Sequence, residues 1–205
     1  DSLPVNLNIK SLSQTNQIVA LIFNMEPSTA ALQQENYLRD FFSQLTSITQ
    51  QDSRSKALAQ AAEVLREQLH PQAIAAYVFE SKKNQLFRMD LDLDLSGSPF
   101  PQELSVKDLA NPAGISTWQA GQPAITSLQE IALVQGSQYL LTLPLLYNQT
   151  LQGCLIASGN GALAEETSLE LEFLAKLTAS TLHHLAWMEN AQQTLQNVRQ
   201  LLQIE

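Results

Sequence analysis

The last 41 residues place the strongest constraint on the fold, because they predict one long helix with an apolar stripe along it. Residues 165–205 contain neither proline nor glycine, and apolar residues recur at alternating spacings of three and four. A helix of this length extends about 60 Å, which is more than one domain of this size can cover. The stripe, which we call the heptad seam, consists of Leu174, Leu177, Thr181, His184, Met188, Ala191, Leu195, Val198 and Leu202. Its distal end needs a partner helix, and we predict a parallel homodimer.

A second apolar stripe lies nearer the start of the chain. Pro27 can begin a helix, because its fixed φ suits the first turn and its missing N–H is not needed there. The residues at helical spacing that follow are Leu38, Phe41, Leu45 and Ile48. We predict that this helix joins the heptad seam in a dimeric bundle.

Charge and cysteine content exclude several classes of function. The 205 residues carry 11 basic and 20 acidic side chains, a formal net charge of -9. This excess repels phosphate groups, so we expect neither nucleic acid nor an anionic membrane surface as a partner. The single cysteine, Cys154, cannot form an internal disulfide or a cysteine-based zinc site, which favours a reducing, cytoplasmic location.

The segments before the long helix predict an α/β fold of the α+β type. Asp52 and Ser53 supply N-cap chemistry for a helix that ends at His70, because the residue before Pro71 is pushed out of the helical region. We predict strands at residues 73–80, 85–95, 124–126, 139–147 and 151–158, a short helix at residues 113–119, and an N-terminal hairpin of residues 5–9 and 17–25. The result is a central antiparallel sheet flanked by helices, with long N- and C-terminal helices.

Three segments resemble the GAF family of domains. Residues 114–123 (GISTWQAGQP) are similar to the family's glycine–tryptophan–glycine–proline stretch, although one residue is missing between Trp118 and Gly121. Leu143-Pro144-Leu145 and the later LQGCL of residues 151–155 resemble its second hairpin, and the acidic, leucine-rich helix from Glu165 resembles its closing helix. The resemblance covers about residues 30–190.

The resemblance implies a domain layout and a role. Residues 1–26 look like the tail of a PAS domain, residues 27–52 form a linker and dimerisation helix, residues 53–188 form the GAF-like domain, and residues 189–205 extend it as a coiled coil. The family points to a regulatory or sensory domain of a larger signalling protein, such as a sensor histidine kinase. It would relay a signal from an upstream sensor domain to a downstream output domain. The alternatives are a ligand-free dimerisation spacer, and a module that binds a tetrapyrrole or a nucleotide.

A ligand pocket can be carried over from the family by position. Its candidate lining residues are Tyr77, Phe79, Phe87, Trp118, Ile125 and Thr142, and the alternative is that these side chains simply fill the core. Bilin-binding members of the family need a cysteine near the pocket helix. Residues 127–138 contain none and Cys154 lies in a predicted strand, so covalent bilin attachment is not expected. The family's cyclic-nucleotide motif is also missing, and we predict no cofactor.

The sequence contains no assembled catalytic set or metal site. His183 and His184 are neighbours on a helix and point about 100° apart, so they cannot hold one metal together. Asp90, Asp92 and Asp94 alternate along a predicted strand, where a solvated face is favoured over a calcium site. Free methionine sulfoxide reduction, a reaction that the family includes, uses reactive cysteines, and a single cysteine in a strand is too few. We therefore predict a domain that is not an enzyme.

Overall fold

The computed structural model describes residues 29–90, 98–161 and 167–202. In chain order its elements are α1 (Thr29–Thr49), α2 (Arg54–Leu69), β1 (Ala73–Glu80), β2 (Gln85–Arg88), β3 (Glu103–Ser105), a 3-10 turn (Val106–Asp108), β4 (Ser116–Gln119), α3 (Ser127–Val134), β5 (Tyr139–Tyr147), β6 (Thr150–Gly159) and α4 (Thr167–Leu202). The predicted hairpin of residues 5–9 and 17–25, and with it the PAS-like tail, lies outside the described residues.

The six strands form one antiparallel sheet in the order β3-β2-β1-β6-β5-β4. This confirms the predicted antiparallel sheet with flanking helices. The β5–β6 hairpin turns at Asn148 and Gln149, which both adopt positive φ. Strand β2 ends at Arg88, short of the predicted residue 95. Met89 and Asp90 follow outside the strand, and residues 91–97 are not among the described residues.

The structure confirms two predicted helices. Helix α1 is the predicted helix before the sheet, and α2 begins and ends where the sequence predicted. The chain has two compact units that divide between Ser43 and Gln44, within α1. Helix α2 begins after Ser53, whose hydroxyl accepts a hydrogen bond from the Lys56 backbone N–H. It ends at His70, which takes the left-handed conformation with φ 45°.

The sheet has a helical layer on each face. Helices α2 and α4 pack against β1, β5 and β6 on one face. Helix α3 packs on the opposite face, where Leu128 and Ala132 join a cluster with Tyr77, Leu140 and other residues. Since successive side chains on a strand point to opposite faces, Leu141, Leu143 and Leu145 face α2 and α4.

Two predictions between the hairpins are wrong. Residues 113–119 do not form a helix, because Ser116–Gln119 is strand β4 and pairs with β5. The segment is too short for a stable helix on its own, and Thr117 and Trp118 suit a strand paired along an existing edge. Residues 124–126 are not a strand, because Pro123 lacks an N–H for pairing and Thr126 caps α3 instead.

Candidate functional site

The resemblance places a ligand on the side of the sheet that is covered by α3, which we call the α3 face. Side chains from β1, β4, β5 and β6 meet α3 there. The buried cluster on this face comprises Ala75, Tyr77, Leu86, Phe100, Leu104, Leu109, Trp118, Leu128, Ala132, Leu140, Cys154 and Ile156. Thr142 shares the face by alternation, and its hydroxyl is hydrogen-bonded to the Ser116 hydroxyl. Protein side chains therefore occupy the space between the sheet and α3.

The six predicted pocket residues do not all come together. Tyr77 and Trp118 are buried in the α3-face cluster, and Phe79 is partly buried against it. Phe87 points to the other face of β2, where the Lys83 ammonium lies 4.7 Å from its ring centre. Ile125 is 80% exposed. The role of these residues in ligand binding stays a prediction.

Helix α3 supplies the part of this face that the sequence reasoning missed. The Gln129 side-chain oxygen accepts a hydrogen bond from the Thr126 backbone N–H at 3.1 Å, and Gln129 is buried. This is half of a capping box, whose sequence signature is Ser or Thr followed three residues later by Glu or Gln. Thr126 and Gln129 have that spacing, so the signature was available to predict α3 and the burial of Leu128.

The titratable groups on the α3 face stay protonated at neutral pH. The Tyr77 hydroxyl donates to the Pro101 carbonyl at 2.8 Å, and burial raises the pKa of Tyr77 well above its usual range. Burial also raises the pKa of the Cys154 thiol to about 12. A thiol is nucleophilic as the thiolate, so Cys154 is inert in the folded state.

The thiol gives a test in the alkaline range. Its folded pKa of about 12 lies above the 9.0 of a thiol in the unfolded chain, so its contribution to stability is full below pH 9 and is lost as pH rises toward 12. Between pH 9 and 11 we expect the free energy of unfolding of the wild type to fall by about 1 kcal/mol per pH unit more than that of Cys154→Ala. Urea titrations at each pH measure this. Parallel pH profiles for the two proteins would contradict it.

An open cleft of about 430 Å³ lies on the other side of the sheet, near the start of α2. Its lining residues are Ser53, Arg54, Ser55, Val78, Phe79, Glu80, Phe87, Met89 and Glu189. The Arg54 guanidinium and the Glu189 carboxylate form an ion pair at 2.9 Å across its edge. The pair is partly exposed and contributes little to stability, but it joins α2 to the point where α4 leaves the sheet.

The predicted helix of the C-terminal segment is confirmed as the 36-residue helix α4. Its first half packs against the sheet and α2, and its buried residues are Leu171, Leu174, Ala175, Thr178, Ala179, Thr181, Leu182 and Leu185. Beyond Leu185 none of the described residues of α4 is fully buried. The helix therefore leaves the domain at about its midpoint.

The heptad seam changes its surroundings along α4. Leu174 is 1% exposed, whereas Leu202 is 70% exposed. Between them Thr181 is buried, Leu177 and Ala191 are half-buried, and His184, Met188, Leu195 and Val198 are exposed. A seven-residue repeat drifts by about 20° per heptad around a straight helix with 3.6 residues per turn. The seam therefore begins against the protein's own core and winds out to the surface.

The other predicted dimer residues divide in a similar way. In the first unit, Leu38 is exposed and Phe41 is buried. In the second unit, Leu45 and Ile48 are buried at the end of α1. Whether any of them contacts a second copy stays a prediction.

The described parts of the chain hold no candidate metal site and no candidate membrane-spanning helix. Among those residues, no group of three or more His, Cys, Asp or Glu side chains is placed to hold a metal ion. Asp90 is exposed, and Asp92 and Asp94 lie outside the described residues. None of the described helices combines the length and apolar content needed to cross a bilayer.

Comparison with known proteins finds similarity in structure only. No family model matches the sequence, and no curated protein has significant sequence similarity to it. The GAF domain of a phosphoenolpyruvate-protein phosphotransferase from Coxiella burnetii superposes with a TM-score of 0.60 at 18% identity, over 77% of this chain and 98% of that domain.

Two further structures share the fold. The bacteriophytochrome of the photosynthetic bacterium R. palustris has a TM-score of 0.62 at 12% identity, over 80% of this chain and 41% of that protein. The free methionine-R-sulfoxide reductase of Neisseria meningitidis, solved with its substrate, has a TM-score of 0.53 at 16% identity, over 82% of this chain and 98% of that enzyme. At these identities the likeness concerns the fold.

Proposed function

We propose that this chain, which has the fold of GAF domains, is a regulatory module of a larger signalling protein. In this proposal it dimerises through its terminal helices and passes a change in helix packing from an upstream domain to an output domain. The single observation that carries the proposal is the heptad seam, which starts in the core and emerges on the surface within one unbroken helix. A shift in how α4 packs against the sheet would then move the far end of the same helix.

The geometry of α4 suits such a relay. Its 36 residues extend about 54 Å at 1.5 Å per residue, and a helix transmits rotation and translation over that length with little loss. Distal side chains such as Leu195 and Leu202 are 59% and 70% exposed. A second α4 would bury them, and two discrete packings of a helix pair are what a two-state relay requires.

The α3 face favours a ligand-free form of this module over a tetrapyrrole or nucleotide receptor. Trp118, Leu128 and Ile156 belong to one buried cluster on the side of the sheet where the resemblance places a ligand. The same packing argues against a reductase, because the only thiol is buried with a pKa of about 12. We therefore propose that this domain has no catalytic step of its own.

The dimer is tested by placing charges in the distal seam, which is the part of the heptad seam from Met188 to Leu202. We expect the Leu195→Glu, Leu202→Glu double variant to be a folded monomer at about 10 µM, because two carboxylates per copy would have to be buried in the interface. The matched control is Gln193→Glu, Gln200→Glu, which adds the same charge on the opposite side of the same helix. It should remain a dimer, like the wild type.

Sedimentation equilibrium gives the mass of each protein, and circular dichroism shows that the fold is retained. Dimers of the same strength for the seam variant and the control would remove the distal seam from the interface. A wild type that is monomeric at about 100 µM would overturn the proposed dimer itself.

A further inference from the structure

A second apolar stripe runs along the outer surface of the first half of α4. It consists of the apolar residues Leu169, Phe173, Leu177 and Trp187, with the polar Ser180 and His184 between them, and we call it the α4 ridge. Phe173 is 56% exposed and Trp187 is 65% exposed, which is unusual for side chains of this size. The rings of His184 and Trp187 lie 6.4 Å apart with an interplanar angle of 23°, so they form one aromatic patch.

The α4 ridge is separate from the face that packs against the sheet. At 100° per residue, the ridge lies about 150° around the helix from the buried residues centred on Thr178. It points away from the sheet. Its spacings of four and three along the chain match the heptad pattern, and Leu177 and His184 belong to both the ridge and the heptad seam.

The ridge continues directly into the exposed part of the heptad seam. Trp187 is followed by Met188, and Ala191, Leu195, Val198 and Leu202 stay within the same sector of about 100°. Over its whole length α4 therefore presents one outward apolar face, from Leu169 to Leu202. Only the first half also has an inward face.

The exposed area shows why the two stretches belong together. Counting about 150–250 Å² for each aromatic side chain and somewhat less for each aliphatic one, the whole outward face exposes roughly 700 Å² of apolar surface. A stable interface buries about 800 Å² per partner. The distal seam from Met188 to Leu202 supplies roughly half of the area that a stable interface needs. It spans only about two heptads, which is short for a coiled coil.

We propose that the α4 ridge is part of the interface, so that a second copy of this chain lies parallel along the full length of α4. This rests on the proposed dimer and extends it to residues that the heptad seam did not include, such as Phe173 and Trp187. Leu174 and Thr181 are used inside the domain and make no contact with the partner. The two sheets then stand side by side, and their packing is coupled through α4 from its first turns.

The ridge is tested in the full chain by Phe173→Glu, with Ser168→Glu as the matched control. Both residues are exposed on the first turns of α4, but Ser168 lies on the other side of the helix. We expect Phe173→Glu to weaken the dimer about 100-fold or more, because a charge replaces a large aromatic contact. Ser168→Glu should change the dissociation constant by less than about threefold.

The Leu195→Glu, Leu202→Glu variant distinguishes an error in the ridge proposal from an error in the proposed dimer. If Leu195→Glu, Leu202→Glu dissociates the dimer and Phe173→Glu does not, the ridge proposal is overturned and the dimer stands. If neither does, or if the wild type is a monomer, both fail. Acrylamide quenching gives a second readout, because Trp187 should become protected as concentration rises, whereas Trp118 is buried throughout.

The parallel arrangement has its own test in Ser180→Cys. Ser180 lies on the ridge, and in a parallel pair the two copies of residue 180 face each other within disulfide reach. We expect oxidation to cross-link this variant into a covalent dimer, and the buried Cys154 should not interfere. Cross-linking that requires a mixture of Ser180→Cys and Ala191→Cys proteins would show an antiparallel pair and contradict the proposal.

Discussion

Gly153→Ala is expected to destabilise the protein by about 3 kcal/mol or more, a large effect for the addition of one methyl group. Gly153 lies in β6 opposite Val78 of β1, near the middle of the sheet. A Cβ atom at this position would come closer to the Tyr77 carbonyl oxygen than the 3.0 Å that real Cβ atoms keep. The obstacle is backbone held in a strand pair, so it cannot rotate away as a side chain would.

Urea denaturation measures the effect, with Gly114→Ala as the control. At Gly114 the nearest atom to a new Cβ is the Asn111 amide nitrogen at 3.2 Å, at the end of a side chain that can move. The control should lose less than about 1 kcal/mol. Equal losses for the two variants would mean that the close approach of β1 and β6 at Gly153 is not what requires glycine.

Trp118→Ala is expected to cost about 3–5 kcal/mol of stability and to create a binding site that the wild type lacks. Trp118 is buried among the side chains of the α3-face cluster, and its indole N–H donates to the Gln122 carbonyl at 3.3 Å. Its removal leaves a cavity with the shape of an indole, next to a carbonyl acceptor. An apolar cavity of this kind takes up small aromatic molecules.

Added indole should therefore raise the melting temperature of Trp118→Ala with the logarithm of its concentration, and leave that of the wild type unchanged. Ile125→Ala is the control, because Ile125 was predicted to line the same pocket but is exposed. It should change stability by less than about 0.5 kcal/mol. Saturable indole stabilisation of the wild type would show that the α3 face has room for a ligand.

The sequence predicted those parts of the fold whose pattern is local. The two apolar runs around the turn at Asn148 gave the β5–β6 hairpin to within one residue at each end. Pro144 has no N–H to donate to a neighbouring strand, so within a sheet it needs an open edge or a bulge. Strand β4 pairs with β5 only as far as Thr142, and the register of β5 shifts between Leu145 and Leu146, so Pro144 lies between an open edge and a bulge.

The errors arose where tertiary pairing decides the structure. Residues 116–119 became a strand because the edge of β5 was available, and neither spacing nor composition of this short segment reveals that edge. The pocket residues were transferred from the family by position, and their role in ligand binding stays a prediction. Ile125 was assigned to a strand that does not exist, and Phe87 lies on the face of β2 opposite the α3-face cluster.

The heptad seam shows how a correct pattern can hold two meanings. The sequence identified the seven-residue repeat, but it does not show which repeat positions the sheet covers. Leu174 is buried in the domain's own core, whereas Leu195 is exposed. The α4 ridge was missed for the same reason. Phe173 and Trp187 each precede a seam position by one residue, and their exposure depends on which side of α4 the sheet covers.

The mass of the wild-type chain in solution tests most directly whether the outward face of α4 is an interface. Sedimentation equilibrium from about 1 to 100 µM should give twice the 22.7 kDa of one chain over most of this range. A folded protein that keeps the mass of a single chain up to about 100 µM would contradict the account, because its apolar stripe would then remain in water without a partner.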